Sequence, residues 1–175
     1  MIVTIQDFKR RFKVNWMTLL VGWRGFGAYQ RLVLVSDIQQ FAIENLDVVS
    51  KSNTVLPDLA TLATISRKED YQIEPLLDKL SAAEHNVFEI EVRKWVICLL
   101  EKQLQELPSN YVDGLITLTE FWCSLQYPEY SPHRIQGKDN MLTPQQYYTL
   151  ENYKVILQQH KDWIGNELQR LSDKI

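Results

Sequence analysis

Residues 94–126 read KWVICLLEKQLQELPSNYVDGLITLTEFWCSLQ and hold two strongly apolar segments joined by one short break. Residues 95–100 are apolar on every side of a helical projection, which is typical of a helix that is buried all round. The break contains Pro-Ser-Asn, residue types that turn the chain from one helix into the next. The spacing therefore predicts two central core helices, over Glu89–Leu107 and Tyr111–Gln126.

Helical spacing of apolar residues also extends through most of the chain before this pair. Thr4 and Asn15 are predicted N-caps, and Ser36 with Gln39 has the spacing of a capping box. Residues 31–35, Arg-Leu-Val-Leu-Val, fit a short strand or a loop equally well. The predicted helices in this part cover Gln6–Phe12, Trp16 to about Trp23, Ser36 to about Val48, Pro57–Ile65 and Ile73–Ala83.

A long C-terminal helix is predicted to begin at Thr143-Pro144, where an N-cap residue precedes a proline. Its apolar residues Leu150, Leu157, Ile164 and Leu171 are spaced by sevens, which favours packing against the body of the protein. The fold class is therefore all-α. We predict a single domain over residues 1–175, built as a bundle of about seven helices with mostly antiparallel neighbours. An α-solenoid is the minor alternative, since no residue signature repeats at a fixed period.

Composition places the chain among ordinary globular proteins, with 45% hydrophobic and 23% charged residues. No stretch approaches 18 uncharged apolar residues, and the N-terminus lacks the pattern of a signal peptide. Cys98 and Cys123 each fall inside an apolar helical pattern, so we predict two buried free thiols in a reducing compartment. The predicted location is cytoplasmic, with no membrane association.

Charge is distributed unevenly along the chain. Residues 1–35 carry six basic residues and one acidic residue, whereas residues 36–91 carry eleven acidic and four basic residues. The remainder is nearly balanced. The acidic segment over residues 36–91 can attract a basic partner, because complementary electrostatic potentials raise encounter rates. The alternative is that these carboxylates only solvate the surfaces of helices.

Two motifs with possible ligand chemistry have simpler interpretations. Residues 25–30, GFGAYQ, lack the third glycine of a dinucleotide fingerprint and follow a helix instead of a strand, so an inter-helix turn is predicted. The basic residues at positions 9, 10, 11 and 13 are interleaved with aromatic residues, as in surfaces that bind the phosphates and bases of nucleic acids. Phe8 and Phe12, however, have the spacing of a buried helical stripe. We therefore predict no nucleic-acid binding.

Catalysis and metal binding find little support in the sequence. The three histidines, His85, His133 and His160, lie in no metal-ligand spacing. His133 with either cysteine is the available Cys/His combination, but thiols in buried patterns are inert. We therefore predict no enzyme, no cofactor and no metal. Two pairs of neighbouring carboxylates are predicted to lie on solvated faces of helices: Glu69 with Asp70, and Glu89 with Glu91.

A proline-stiffened loop over residues 127–140 concentrates unusual side chains between two helices. It contains Tyr130, His133 and Arg134. Tyrosine and arginine are favoured interface anchors, and loops on rigid scaffolds carry function disproportionately. The alternative is a connection that lies over the core with half-buried tyrosines.

Several short motifs resemble a family of small helical bacterial proteins without assigned activity. This family is similar to immunity proteins encoded beside polymorphic toxins, including those of contact-dependent growth inhibition systems. The resemblance covers about two-thirds of the chain. The motifs are Asn15-Trp16 with Gly22, Leu59-Ala60-x-Leu62-Ala63, Lys94-Trp95, and Phe121 with Leu125-Gln126-Tyr127-Pro128.

The resemblance implies an immunity protein that binds one cognate toxin domain and blocks its active site or substrate cleft. A nuclease-like toxin with a basic cleft would complement the acidic middle of the chain. The main alternative is a helical adaptor or regulatory scaffold without catalytic activity. The predicted partner-binding residues are Glu69, Asp70, Glu74, Asp78, Glu84, Glu89, Glu91, Tyr130, His133 and Arg134.

Overall fold

The computed structural model describes residues 3–47, 54–84, 86–138 and 141–172. Within these ranges the chain forms nine α-helices and one 3₁₀ helix, and no strand, so the predicted all-α class is confirmed. The elements are α1 Ile5–Lys9, α2 Trp16–Arg24, α3 Val35–Leu46, α4 Leu56–Thr64, the 3₁₀ helix Arg67–Gln72, α5 Ile73–Ala82, α6 Phe88–Gln105, α7 Tyr111–Ser124, α8 Pro144–Tyr147 and α9 Leu150–Ser172.

Two of the predicted caps, Asn15 and Thr143, are confirmed, and α7 begins with a further cap at Asn110. The Asn15 side chain accepts a hydrogen bond from the Thr18 backbone N–H at 2.7 Å, and Asn110 caps α7 in the same way. Thr143 caps α8 with Pro144 at the first helical position. The predicted long C-terminal helix is divided at Tyr148, so the described helices outnumber the expected seven.

The start of α3 corrects one prediction. The Asp37 carboxylate accepts a hydrogen bond from the backbone N–H of Leu34 at 2.9 Å, so the helix begins at Val35. Ser36 lies inside the first turn, and the predicted capping box of Ser36 with Gln39 is wrong. The Gln39 side chain instead donates to the carbonyl oxygen of Ile65 at 2.8 Å. The predicted end of this helix near Val48 lies outside the described residues.

Contacts divide the chain into two compact units, Ile2–Val96 and Ile97–Ile175. The prediction of one domain over residues 1–175 stays a prediction. In the first unit, α2 packs on α5 and α3 packs on α4. Trp95 is fully buried there, with its ring centroid 4.6 Å from that of Phe8, and its indole N–H donates to the Thr18 carbonyl oxygen at 3.1 Å.

Gly22 is required by the close packing around Trp95. A Cβ atom at Gly22 would overlap a methyl group of Val33 and would lie 3.0 Å from the Trp95 ring. Such contacts are closer than side-chain carbons tolerate, so α2 lies against this core only because residue 22 has no side chain.

The second unit is built around α7 and α9, and α8 also packs on α9. The buried stripe of α9 contains Ile156, His160, Ile164 and Leu171, whereas Leu150 is about half exposed at 51%. The stripe is therefore offset from the predicted sevenfold spacing. The helix continues through Gly165 without a break.

The two cysteines are free thiols, but they differ in burial. Cys98 is buried, as predicted, whereas Cys123 is exposed, so that part of the prediction is wrong. The apolar residues beside Cys123 belong to the opposite face of α7, where Phe121 and Trp122 are buried. Among the described residues, no helix has the length and apolarity needed to cross a membrane.

Candidate functional site

An open groove of about 610 Å³ lies in the unit Ile2–Val96. Its walls come from the end of α2, the loop over residues 31–34, the first turn of α3 and residues 65–70. We call it the Trp23 groove, after the indole that forms part of its wall. Five of its ten described lining residues are apolar, and Arg31 and Asp70 are the charged ones among them. Apolar walls that carry polar and charged groups between them occur in ligand and peptide sites.

Arg31 is held on both sides within the groove. Its guanidinium carbon lies 4.2 Å from the centroid of the Trp23 ring, a cation–π arrangement. Its Nη1 atom lies 3.1 Å from Oδ2 of Asp70. The backbone of Arg31 has φ +49°, in the left-handed region that disfavours residues with a Cβ atom. A strained backbone in a groove points to a functional constraint.

The glycine-rich turn after α2 explains how the chain reaches this geometry. Gly25 ends the helix with φ +75°, and Phe26 and Tyr29 exchange two backbone hydrogen bonds at 2.9 and 3.0 Å. The backbone N–H of Leu32 then donates to the Gly22 carbonyl oxygen at 2.7 Å, which returns the chain to α2. The prediction of an inter-helix turn is confirmed, and residues 31–34 form the predicted loop alternative, with Val35 already in α3. Nothing in the residue types of the turn indicates that it borders a groove.

Four members of the predicted acidic set lie on the 3₁₀ helix and α5, and these are Glu69, Asp70, Glu74 and Asp78. Glu74 and Asp78 both bind the guanidinium of Arg24, at 2.8 and 2.6 Å. Each carboxylate side chain remains 47% exposed. Glu69 accepts a hydrogen bond from the Ser66 hydroxyl at 2.6 Å, and this bond lowers the pKa of the Glu69 carboxyl. The basic N-terminal region thus supplies an internal counter-charge to the acidic middle.

Two other members of the predicted set are structural. Glu91 is 1% exposed and accepts from Thr18 Oγ1 at 2.7 Å, from Lys94 Nζ at 2.7 Å and from Asn15 Nδ2 at 3.2 Å. Glu84 accepts from the Trp16 backbone N–H at 2.8 Å, and its burial raises the pKa of its carboxyl.

Both carboxylates therefore hold the N-terminus of α2, where helices leave backbone donors unsatisfied. Glu89, by contrast, is exposed at the first turn of α6.

The loop over residues 127–138 belongs to the other unit and directs most of its unusual side chains inward. His133 is 5% exposed, and its Nε2 atom lies 2.8 Å from the Thr119 hydroxyl. The Tyr130 ring stacks on Trp163 with centroids 6.0 Å apart and planes 17° apart. Arg134 has an exposed side chain, which borders a shallow cavity of about 330 Å³ together with Trp163.

A buried histidine supports this loop from α9. His160 accepts a hydrogen bond at Nε2 from the Trp122 indole N–H at 2.8 Å, so its proton lies on Nδ1 and donates to the Ile156 carbonyl oxygen at 2.7 Å. Its ring centroid lies 5.5 Å from that of His133. Burial lowers the pKa of His160. Within the described ranges, no three His, Cys, Asp or Glu side chains converge as metal ligands would.

The fold and the site define an all-α protein with an open groove beside exposed carboxylates. The chain belongs to a family described as uncharacterized proteins conserved in bacteria (DUF2247), whose model matches residues 5–168. This match confirms the prediction of a bacterial protein family. No curated protein and no solved structure matches the chain.

Proposed function

We propose that this chain is an immunity protein that binds a cognate toxin domain and neutralises it by occluding its active site or substrate cleft. The observation that carries the proposal is the surplus of negative charge on α5. Glu74 and Asp78 share the single guanidinium of Arg24, and Lys79 on the same helix is paired with Asp58, so one negative charge on this exposed surface stays uncompensated among the described residues. Asp70, on the preceding 3₁₀ helix, extends this surface to the Trp23 groove.

A basic toxin domain fits this surface by charge. A nuclease cleft carries cationic side chains that bind phosphates, and carboxylates spaced along a helix can occupy the same positions. The apolar wall of the groove adds the buried contact area that a tight complex requires. Stoichiometric binding of this kind needs no catalytic residue and no cofactor.

The proposed contact set is narrower than the set predicted from sequence. It contains the exposed carboxylates and, on the other unit, the accessible part of the 127–138 loop. We omit Glu84, Glu91 and His133, because each side chain forms hydrogen bonds inside its own unit. The retained residues are Glu69, Asp70, Glu74, Asp78, Glu89, Tyr130 and Arg134.

A helical adaptor or scaffold is the second candidate function. The ion pairs of Arg24 and Arg31 favour it, because they cancel much of the negative charge that would attract a basic toxin. The two functions differ in the dependence of binding on salt. Binding of a basic toxin should weaken steeply as ionic strength rises, whereas a groove-centred adaptor contact should weaken little.

Growth rescue tests the proposal directly. The toxin domain encoded beside this chain is expressed alone, to establish that it arrests growth, and then together with this chain. We expect restored growth and a stable one-to-one complex when the pair is purified through a tag on one partner. Continued arrest despite expression of folded chain, with no complex recovered, would contradict the immunity function and leave the adaptor.

A further inference from the structure

We infer that the Trp23 groove receives an extended segment of a partner protein, which places a carboxylate on Arg31 and an apolar side chain against the groove wall. The inference rests on the proposed function only in that the partner is a protein. It does not require the partner to be a toxin. A partner that binds the α5 carboxylates through a basic surface would also carry an acidic residue that binds Arg31.

The guanidinium of Arg31 has unused binding capacity. A guanidinium carries five N–H donors in a planar fork. Asp70 takes up one of them through a single oxygen at 3.1 Å. The edge formed by Nε and Nη2 has no hydrogen-bond partner among the described residues. Such an edge matches both oxygens of a carboxylate, so a second carboxylate can bind while Asp70 stays in place.

Arg31 is also held in position before any partner arrives. The Trp23 ring supports one face of the guanidinium, and the left-handed backbone at residue 31 fixes the direction in which the side chain leaves the loop. The bond from Leu32 to Gly22 ties this loop to α2. A guanidinium fixed in this way loses less conformational entropy on binding, which favours recognition.

The apolar part of the groove defines the rest of the ligand. Leu34 is 63% exposed at the rim, and Val35 and Ile65 line the wall. The Leu34 side chain extends the apolar wall to the mouth of the groove. The volume of about 610 Å³ suits a ligand of a few side chains. A short segment that alternates apolar and acidic residues meets both requirements.

The test uses the peptide acetyl-Leu-Glu-Leu-amide, with acetyl-Leu-Gln-Leu-amide as the uncharged control. Binding is followed by NMR through the five tryptophan indole N–H signals, of which that of Trp23 is assigned with the Trp23→Phe variant. We expect a saturable shift of the Trp23 signal, with an affinity for the glutamate peptide at least about tenfold above that for the glutamine peptide. Equal shifts from both peptides would overturn the carboxylate site.

Variants of the full chain separate the effect of the planar Arg31 guanidinium from the effect of its positive charge. Arg31→Gln should weaken glutamate-peptide binding about tenfold, and Arg31→Lys should restore only part of it. Arg10→Gln is the matched control, because Arg10 also pairs an exposed guanidinium with one carboxylate, that of Asp7 at 3.2 Å. An equal loss in the Arg10 and Arg31 variants would show nonspecific charge attraction and would overturn the inference.

Failure of this inference is distinguishable from failure of the proposed function. A chain that rescues growth but shows no preference for the glutamate peptide keeps the immunity function and loses the acidic anchor. A chain that shows the preference without rescuing growth keeps the groove as a protein-binding site and loses the toxin as its partner.

Discussion

The loop over residues 127–138 and the loop over residues 25–34 have opposite relations to their surroundings. The first contains the aromatic, basic and histidine residues that residue type alone marks as functional, yet His133 is buried and Tyr130 stacks on Trp163. The second has a simple glycine turn in its sequence, yet it places Arg31 over Trp23 in an open groove.

This difference shows that residue type and side-chain direction carry separate information. Tyrosine and histidine are amphipathic, so a loop that covers a core can use the same residues as a loop that binds a partner. The direction is decided by contacts from distant parts of the chain. The acidic residues repeat the contrast, since Glu91 is buried and Glu89, two positions earlier, is exposed.

The largest expected loss of stability comes from replacing Glu91, whose carboxylate is buried. Glu91→Ala removes the partner of Lys94, which is itself 8% exposed, and leaves a buried charge uncompensated. Breaking a buried ion pair in this way costs about 3–5 kcal/mol in the free energy of unfolding. Urea unfolding of the variant, followed by circular dichroism, measures the loss.

Glu89→Ala is the control for this comparison. The side chain is exposed, so its removal should change the free energy of unfolding by less than about 0.5 kcal/mol. Equal effects of the two substitutions would show that Glu91 does not form the buried network and would remove the distinction between inward and outward carboxylates.

A smaller effect is expected from acidification, through the histidine that supports the 127–138 loop. Burial lowers the pKa of His160 in the folded protein, whereas the unfolded side chain has a pKa near 6.5. As the pH falls below about 6.5, the unfolded chain takes up a proton that folded His160 does not, so the folded state loses stability. Protonation would also turn Nε2 into a donor and abolish the bond from Trp122.

His160→Gln separates this titration from those of other groups, because glutamine can accept from Trp122 but does not ionise. Unfolding free energies of both proteins are measured between pH 7.5 and 5.5. The advantage of the wild type over the variant should shrink as the pH falls. A difference in unfolding free energy between the two proteins that stays constant across this range would show that the pKa of His160 is not lower in the folded state than in the unfolded state.

The smallest expected effect concerns the first turn of α3, which forms a wall of the Trp23 groove. Asp37→Ala removes the carboxylate that accepts the backbone N–H of Leu34, the N-cap residue, at a cost of about 1 kcal/mol in the free energy of unfolding. Ser36→Ala should cost less than half as much, since Ser36 is not the cap. A larger loss from the serine substitution, in thermal or urea unfolding, would restore the capping box predicted from sequence.

Much of the fold is readable from local pattern. Asn15 and Thr143 act as the caps that their positions predict, because a cap bonds to the backbone three residues away. The apolar run at residues 95–100 is buried, as a helix without a polar face must be. The start of α3 differs from the prediction because Asp37, at the third helical position, bonds the backbone N–H of Leu34, and neighbouring polar residues such as Ser36 and Asp37 are told apart only by their contacts.

The site is much less readable from sequence. Asp70, Glu74 and Asp78 form a local group that charge alone identifies, but their pairing with Arg24 and Arg31 joins positions 39 to 54 residues apart. Glu91 lies 73 residues from Thr18, its hydrogen-bond partner, so nothing near it in sequence predicts burial. The groove depends in the same way on residues brought together by the packing of α2, α3 and the 3₁₀ helix.

The most direct test of a partner-binding surface on α5 is the affinity of the toxin domain encoded beside this chain for a doubly substituted variant. Glu74→Lys with Asp78→Lys reverses the exposed carboxylates, and Glu44→Lys on α3 is the control, with folding of each variant checked by circular dichroism. We predict at least about tenfold weaker binding for the double variant and unchanged binding for the control. Equal affinity of the double variant and the wild type would contradict the account.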